Sequence, residues 1–165
     1  MIKEIKVAED RIGAVIGNRG NTKKDIERYT NTALEIGDVV TISGEALDVL
    51  TAENIVRAIG RGFAPHRALD LLDENYTLVV LPLNPKSATR IKARVIGTKG
   101  KTRVRIQKLT RTSLCIYGKT ISIIGTYHRA DLARDAVQKL IEGAPHTAVY
   151  EFLERRIAKA ATTTT

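Results

Sequence analysis

Apolar residues fall along the chain in short runs and periodic stripes. Ile2 to Val7 and Leu78 to Leu83 are compact apolar runs of strand length. Each is followed by a short helical stretch that stops at a Gly-x-x-Gly. In the second case Pro85 stands where a helix-opening proline would, which predicts a longer helix there. Helices are expected next over Asn21–Thr30 and Lys101–Thr110. Strict alternation then marks a strand through Thr32, Leu34 and Ile36, and again through Thr112, Leu114 and Ile116. Beyond a glycine turn, Val39–Ser43 and Thr120–Ile124 read as partner strands. A long helix closes each series. Val49, Ala52, Ile55, Val56 and Ile59 share one face of the first, and Ala133, Ala136, Val137, Leu140 and Ile141 one face of the second.

The pattern is one text written twice. At a constant offset Ile16 matches Ile96, Gly17 matches Gly97, Gly20 matches Gly100 and Ile26 matches Ile106. Thr30, Thr32, Leu34 and Ile36 likewise match Thr110, Thr112, Leu114 and Ile116. One inserted residue then pairs Ile42 with Ile123 and Gly44 with Gly125. The unit is too long for a solenoid element and has the size of a small domain. The expectation is two tandem α+β domains of order β-α-α-β-β-α, residues 1–74 and 75–165. Each has a three-stranded antiparallel sheet with helices on one face. Residues 62–75, with Pro65, Ala68, Leu69, Leu71 and Leu72, predict a packed connector. A last helix is expected from Pro145, burying Val149, Phe152, Leu153 and Ile157, with Thr162–Thr165 frayed.

Charge sharpens the picture. The 165 residues carry 27 Lys+Arg and 18 Asp+Glu, a formal net charge of +9. Residues 1–74 hold 10 basic and 13 acidic side chains, so the remainder carries a net +12. From Lys86 to Lys119 there are eleven basic residues and no acidic one. A one-signed block of this kind predicts a polyanionic partner, against the alternative of a generic basic face. The block lacks the aromatic and Leu anchors of a membrane-surface helix. The 43% hydrophobic content excludes wholesale disorder. With a single cysteine, Cys115, there is no intrachain disulfide, and no apolar run has membrane-spanning length. The absence of Trp argues against a broad aromatic stacking platform. A soluble, intracellular, cytoplasmic setting is expected.

Two glycine loops carry the candidate chemistry: Gly17-Asn18-Arg19-Gly20 and Gly97-Thr98-Lys99-Gly100. Paired glycines permit a sharp turn and close approach of a ligand, and the following helix N-terminus favours phosphate. In the second copy Lys99, Lys101 and Arg103 are expected to neutralise phosphates, with Arg90 and Arg94 extending the basic track. Val95, Ile96, Ile106, Leu114 and Ile116 are expected to form an apolar floor beside that loop. In the first copy Asn18, Arg19 and Lys23 hold the matching places, but the net acidity there predicts weaker contact with a polyanion. Tyr117 and Lys119 flank the turn between strands, where contact with the polyanion and a solvated turn are equally open.

The competing chemistries fare worse. Gly100-Lys101-Thr102 and Gly118-Lys119-Thr120 resemble the end of a P-loop, but the glycine that motif requires is replaced by Val95 and Ser113. His66, His128 and His146 are far apart and lack cysteine partners, so no metal is expected. No cofactor and no catalytic set is read from the sequence.

The order Ile-Gly-x-x-Gly, helix, Thr-x-x-Leu-x-Ile strand resembles the type I KH domain, whose loop clamps about four nucleotides of single-stranded RNA. AEDRIGAVIGNRG at 8–20, ARVIGTKGKTR at 93–103, YGKTISIIG at 117–125 and GAPHTAVYEFLERR at 143–156 further resemble the archaeal partner-of-Nob (Dim-type) rRNA-processing family, which has two such domains. Lys23 and Arg103 stand where generic KH domains carry an apolar residue, a departure shared with that family. The resemblance implies a non-catalytic assembly factor that binds the 3′ region of small-subunit rRNA. Its implied partners are the PIN-domain rRNA endonuclease and the alpha subunit of initiation factor two. The alternative is a docking scaffold for such proteins, with RNA contact secondary. An RNA-cleaving enzyme would need a carboxylate or metal cluster.

Overall fold

The computed structural model describes residues 1–163. The chain divides into two compact units, Met1–Leu78 and the residues from Val79 onward.

The first unit begins with β1 (Ile2–Ile5), α1 (Glu9–Ile16), a single 3-10 turn at Asn18–Gly20 and α2 (Asn21–Thr30). It continues through β2 (Ala33–Ile36), β3 (Val40–Ser43) and α3 (Ala46–Gly60). β3 is the central strand and pairs antiparallel with both neighbours, Ile42 facing Lys3 on one side and Leu34 on the other. Apolar residues of the strands and helices interleave to form the core: Val15, Ile26, Val40, Ile42 and the predicted stripe of α3 are fully buried. The connector packs as expected. It forms a short helix, α4 (Pro65–Ala68), and a 3-10 turn over Leu69–Leu72, with Ala68 and Leu71 buried.

The second unit repeats the plan. β4 (Tyr76–Pro82) crosses the division between the units, followed by α5 (Ala88–Ile96), a 3-10 turn at Thr98–Gly100 and α6 (Lys101–Thr110). Then come β5 (Ser113–Tyr117), β6 (Thr120–Thr126), α7 (Tyr127–Ile141) and α8 (His146–Thr163). The sheet order is β4-β6-β5, with β6 buried along nearly its whole length. α8 seals one side of the core with Val149 and Leu153, both fully buried. Thr162 and Thr163 form the last residues of this helix, and Thr164 and Thr165 lie outside the described residues. Pro85 does not open a helix. Asn84 accepts from the Lys86 amide through its side chain (3.0 Å) and from the Ser87 amide through its carbonyl (3.1 Å), making a turn that delays α5 to Ala88.

Shared local devices shape both copies. α2 and α6 end on left-handed residues, Asn31 and Arg111, at φ 55° and 53°. The Thr30 and Thr110 hydroxyls bond back to the carbonyls of Ile26 and Ile106 and sit within 2.8 Å of the hydroxyls of Thr32 and Thr112. The side chains of Glu27 and Gln107 accept from the amides of Leu34 and Leu114, fixing helix to strand.

An arginine fastens the first helix of each unit to the carbonyl end of its closing helix. Arg11 donates to the carbonyls of Ile59 and Phe63, each at 2.9 Å. Arg94 donates to those of Leu140 (3.2 Å) and Ala144. The target carbonyls match in the repeat, but the arginines do not: Arg11 aligns with Ile91, and Arg94 with Ala14.

Candidate nucleic-acid interface

The two glycine loops have one geometry. Gly17 and Gly97 take φ 76° and 75° with extended ψ, a region open essentially to glycine alone. The space is closed as well. A Cβ on Gly97 would lie 2.6 Å from the Cβ of Thr102 and 2.8 Å from its amide nitrogen, and Gly17 meets Thr22 in the same way. Gly20 and Gly100 are left-handed with open space beside them. Between the glycines, Arg19 and Lys99 both hold φ 55°, a left-handed conformation that costs a side-chain-bearing residue about 1–2 kcal/mol. Both loops therefore hold a cation at their tip in a strained backbone state.

The loops use some of their own donors. The Gly100 amide bonds to the Gly97 carbonyl (3.1 Å) and the Lys101 amide to that of Thr98, so these two are not available to an anion. No side chain caps the N-terminus of α6. Thr98, Lys99, Lys101 and Arg103 are exposed, and the three cations have no ion-pair partner among the described residues.

The first unit offers fewer free cations: the neutral Asn21 stands where the second has Lys101. Lys23, the counterpart of Arg103, is ion-paired with Glu27 at 3.5 Å. The counterpart of Glu27 is the neutral Gln107, which makes the same bond to its strand and leaves Arg103 unopposed. Asn18 and Arg19 are exposed. Replacing Glu27 with Gln keeps an acceptor for the Leu34 amide and releases Lys23. With the second loop disabled by Thr98→Asp and Lys99→Asp, Glu27→Gln is expected to strengthen residual RNA binding and steepen its log–log salt slope by about 0.7. An unchanged slope would show that Lys23 is not a phosphate contact.

Several expected contacts are placed elsewhere. Val95 and Ile106 are fully buried and Leu114 is 4% exposed, so these three are core and present no surface to a base. Ile116 is half-buried against that core. The apolar surface next to the loop comes from Ile96, 38% exposed, and from Val104 on the first turn of α6, which the sequence reading missed. Arg94 is committed to backbone carbonyls through two of its nitrogens and is a structural fastener. Arg90 is exposed, but it shares the α5 face of Arg94 and Gly97, opposite the stripe of Lys92 and Ile96. Lys92, also missed, reaches across to the Gly118 carbonyl (3.0 Å) in the β5–β6 turn. A groove is thus outlined by Lys92, Ile96, the glycine loop, Val104 and that turn. Gly97–Gly100 is not covered by α8: Thr98 and Lys99 are exposed, and α8 meets the α5–α6 pair at Tyr150 with Thr102 and Arg105, at His146 with the Arg94 carbonyl and at Glu154 with Arg105.

Comparison with known proteins agrees with this geometry. Residues 79–158 match the profile of the eukaryotic type KH-domain (KH-domain type I), and residues 2–58 that of the KH domain. A KH domain-containing protein of Methanocaldococcus jannaschii is 41% identical over 96% of this chain and 75% of its own length. The pre-rRNA-processing protein PNO1 of Chaetomium thermophilum is 31% identical over 68% of this chain, which spans 46% of that protein. Among solved structures, Dim2p of Pyrococcus horikoshii superposes with a TM-score of 0.89 at 40% identity, over 94% of this chain and 99% of that one. A protein of unknown function from Aeropyrum pernix gives 0.94 at 33% identity, over 99% and 94% of the two chains. The Pyrococcus horikoshii protein has also been solved in an a/eIF2alpha-aDim2p-rRNA complex, again with a TM-score of 0.89, 40% identity and coverage of 94% and 93%. With two type I KH folds in tandem, twin glycine loops of one conformation and relatives matched along nearly its whole length, the chain belongs to the archaeal Dim2/PNO1 family of KH-domain proteins.

Proposed function

We propose that this chain binds single-stranded RNA as a ribosome biogenesis factor, and that its second KH domain takes the 3′ region of small-subunit rRNA during maturation. The observation that carries the reading is the unopposed cation set of Lys99, Lys101 and Arg103 around a preformed loop, against the internally neutralised Lys23 of the first unit. The relatives named as pre-rRNA-processing proteins, and the Pyrococcus horikoshii homologue in complex with rRNA, support the choice of RNA. In this reading the loop seats the backbone, Ile96 and Val104 offer apolar surface to the bases, and the protein acts by holding RNA rather than cleaving it. The alpha subunit of initiation factor two is proposed as a partner because that homologue was solved with it. The PIN-domain endonuclease is proposed on family resemblance.

The test is crosslinking of the chain to small-subunit rRNA and mapping of the bound nucleotides. Crosslinks should concentrate in the 3′ region and map on the protein to Ile96–Val104. An even distribution along the rRNA removes the assignment of that region.

A docking scaffold is the second reading, and one feature favours it. Leu109, Leu132 and Ile157 floor a cavity of about 940 Å³ between α6, α7 and α8, rimmed by Arg111, Arg129 and Arg156. Such a groove fits an apolar protein segment carrying acidic residues. This reading predicts a protein affinity that survives both RNase and loop mutation.

A further inference from the structure

α5 presents two opposite faces beside the glycine loop. Lys92 and Ile96 look toward the β5–β6 turn and outline the groove described above. Arg90, Arg94 and Gly97 look the other way, toward the start of α8. On that side lies a second cleft of about 520 Å³, completed by Thr98, Lys101, His146 and Tyr150.

Its lining is chemically selective. Three cations enter it and no carboxylate does. Arg90 and Lys101 have no ion-pair partner among the described residues, while Arg94 adds a charge fixed by its bonds to the Leu140 and Ala144 carbonyls. The two rings are held at their polar tips. The Tyr150 hydroxyl donates to the Thr102 hydroxyl (3.2 Å), and His146 Nε2 lies 2.9 Å from the Arg94 carbonyl. The Arg105 guanidinium stacks on the Tyr150 ring at 4.1 Å and helps to fix its plane. Fixed rings next to unpaired cations are the combination that accepts a base and its phosphate together. The volume lies in the range of small-ligand pockets and has room for a nucleotide.

We propose that this cleft is a second nucleotide subsite, separate from the groove, which takes the part of an RNA strand that has passed over the Gly97–Gly100 loop. Arg90 and Lys101 hold a phosphodiester there, and Tyr150 and His146 receive a base. The cleft shares Gly97 and Thr98 with the loop, so a strand seated on the loop enters it without a break, and this favours RNA over an acidic peptide as the occupant. The inference rests on the RNA-binding reading and extends the bound length beyond the about four nucleotides of one KH groove.

The experiment uses the full chain and three RNAs from the 3′ region of small-subunit rRNA. One is a tetranucleotide, and two are octanucleotides that extend it on the 5′ or the 3′ side. One octanucleotide should bind at least tenfold more tightly than the tetranucleotide, with a salt slope steeper by about 0.7 per added phosphate contact. Arg90→Ala and Tyr150→Leu, made separately, should each reduce that gain to within about twofold, and tetranucleotide binding reports that the variants are folded. If neither octanucleotide gains over the tetranucleotide, or if both variants weaken all three RNAs in equal proportion, the second subsite is wrong and the groove reading stands. If the variants leave the octanucleotide gain intact but abolish binding of a Glu-rich peptide, the cleft is a protein site. If none of the RNAs binds the parent chain, both readings fall together.

Discussion

Replacing Thr98 and Lys99 together with aspartate is expected to lower RNA affinity about a hundredfold while leaving the fold intact. A hydrogen bond to a charged group contributes about 1.5–3 kcal/mol, and each 1.4 kcal/mol is tenfold in affinity. The change removes one such contact and sets two carboxylates where the strand passes, so repulsion adds to the loss. Both side chains are exposed in a turn that makes its internal bonds through backbone atoms, so stability should move little. Replacing Lys99 also lifts no buried group out of place. The matching change at Asn18 and Arg19 should cost clearly less, because the neighbouring Lys23 is already neutralised by Glu27. Fluorescence anisotropy with a labelled rRNA 3′ fragment at several salt concentrations measures both. If the two double variants bind like the parent, the loops are not phosphate clamps.

Gly97→Ala should be the most destabilising single methyl that the second unit can receive near its loop. The backbone there lies in a region that costs other residues about 1–3 kcal/mol. The new Cβ would press on Thr102, whose amide nitrogen is 2.8 Å away and cannot turn aside as a flexible side chain could. Overpacking of this kind adds about 1–3 kcal/mol. Together the loss is about 2–6 kcal/mol, a large part of the stability of a small domain. Gly100→Ala provides the control: its conformation is strained, but nothing lies within 4 Å, so about 1–2 kcal/mol is expected. Urea titration of both variants checks the ranking. Equal losses would mean that backbone strain alone, and not the contact with Thr102, sets the requirement for glycine.

Much of the fold was legible because periodicity reports burial directly. The stripe Val49, Ala52, Ile55, Val56 and Ile59 is buried as its spacing demands, and α2 and α6 have their expected limits. The doubled Ile-Gly-x-x-Gly carried the tandem arrangement, since two copies of one pattern agree only if both fold alike. The groove was less legible. Val95 and Ile96 are neighbours of equal hydrophobicity, yet one is fully buried and the other 38% exposed. A helix turns by about 100° per residue, so a one-residue shift decides core or surface, and a run of apolar residues at a helix end leaves the phase open. Arg94 was unreadable for another reason. Its partners are backbone carbonyls 46 and 50 residues away, and every residue type carries a carbonyl. The ion pair of Lys23 with Glu27 was present in the sequence at helical spacing, and comparing Glu27 with Gln107 would have revealed the contrast between the copies.

The arginine fasteners bear on how the halves of this protein can be exchanged. Both close the same joint, yet they start one helical turn apart, so matching the halves position by position pairs each arginine with a residue that cannot replace it. Writing the counterpart Ile into position 11 strips the joint and supplies nothing in return. Grafting an entire first helix carries its own anchor along, and the receiving carbonyls stand at equivalent places. The interchangeable part is therefore the whole segment, and no ancestral or chimeric version of this chain should be assembled one aligned residue at a time.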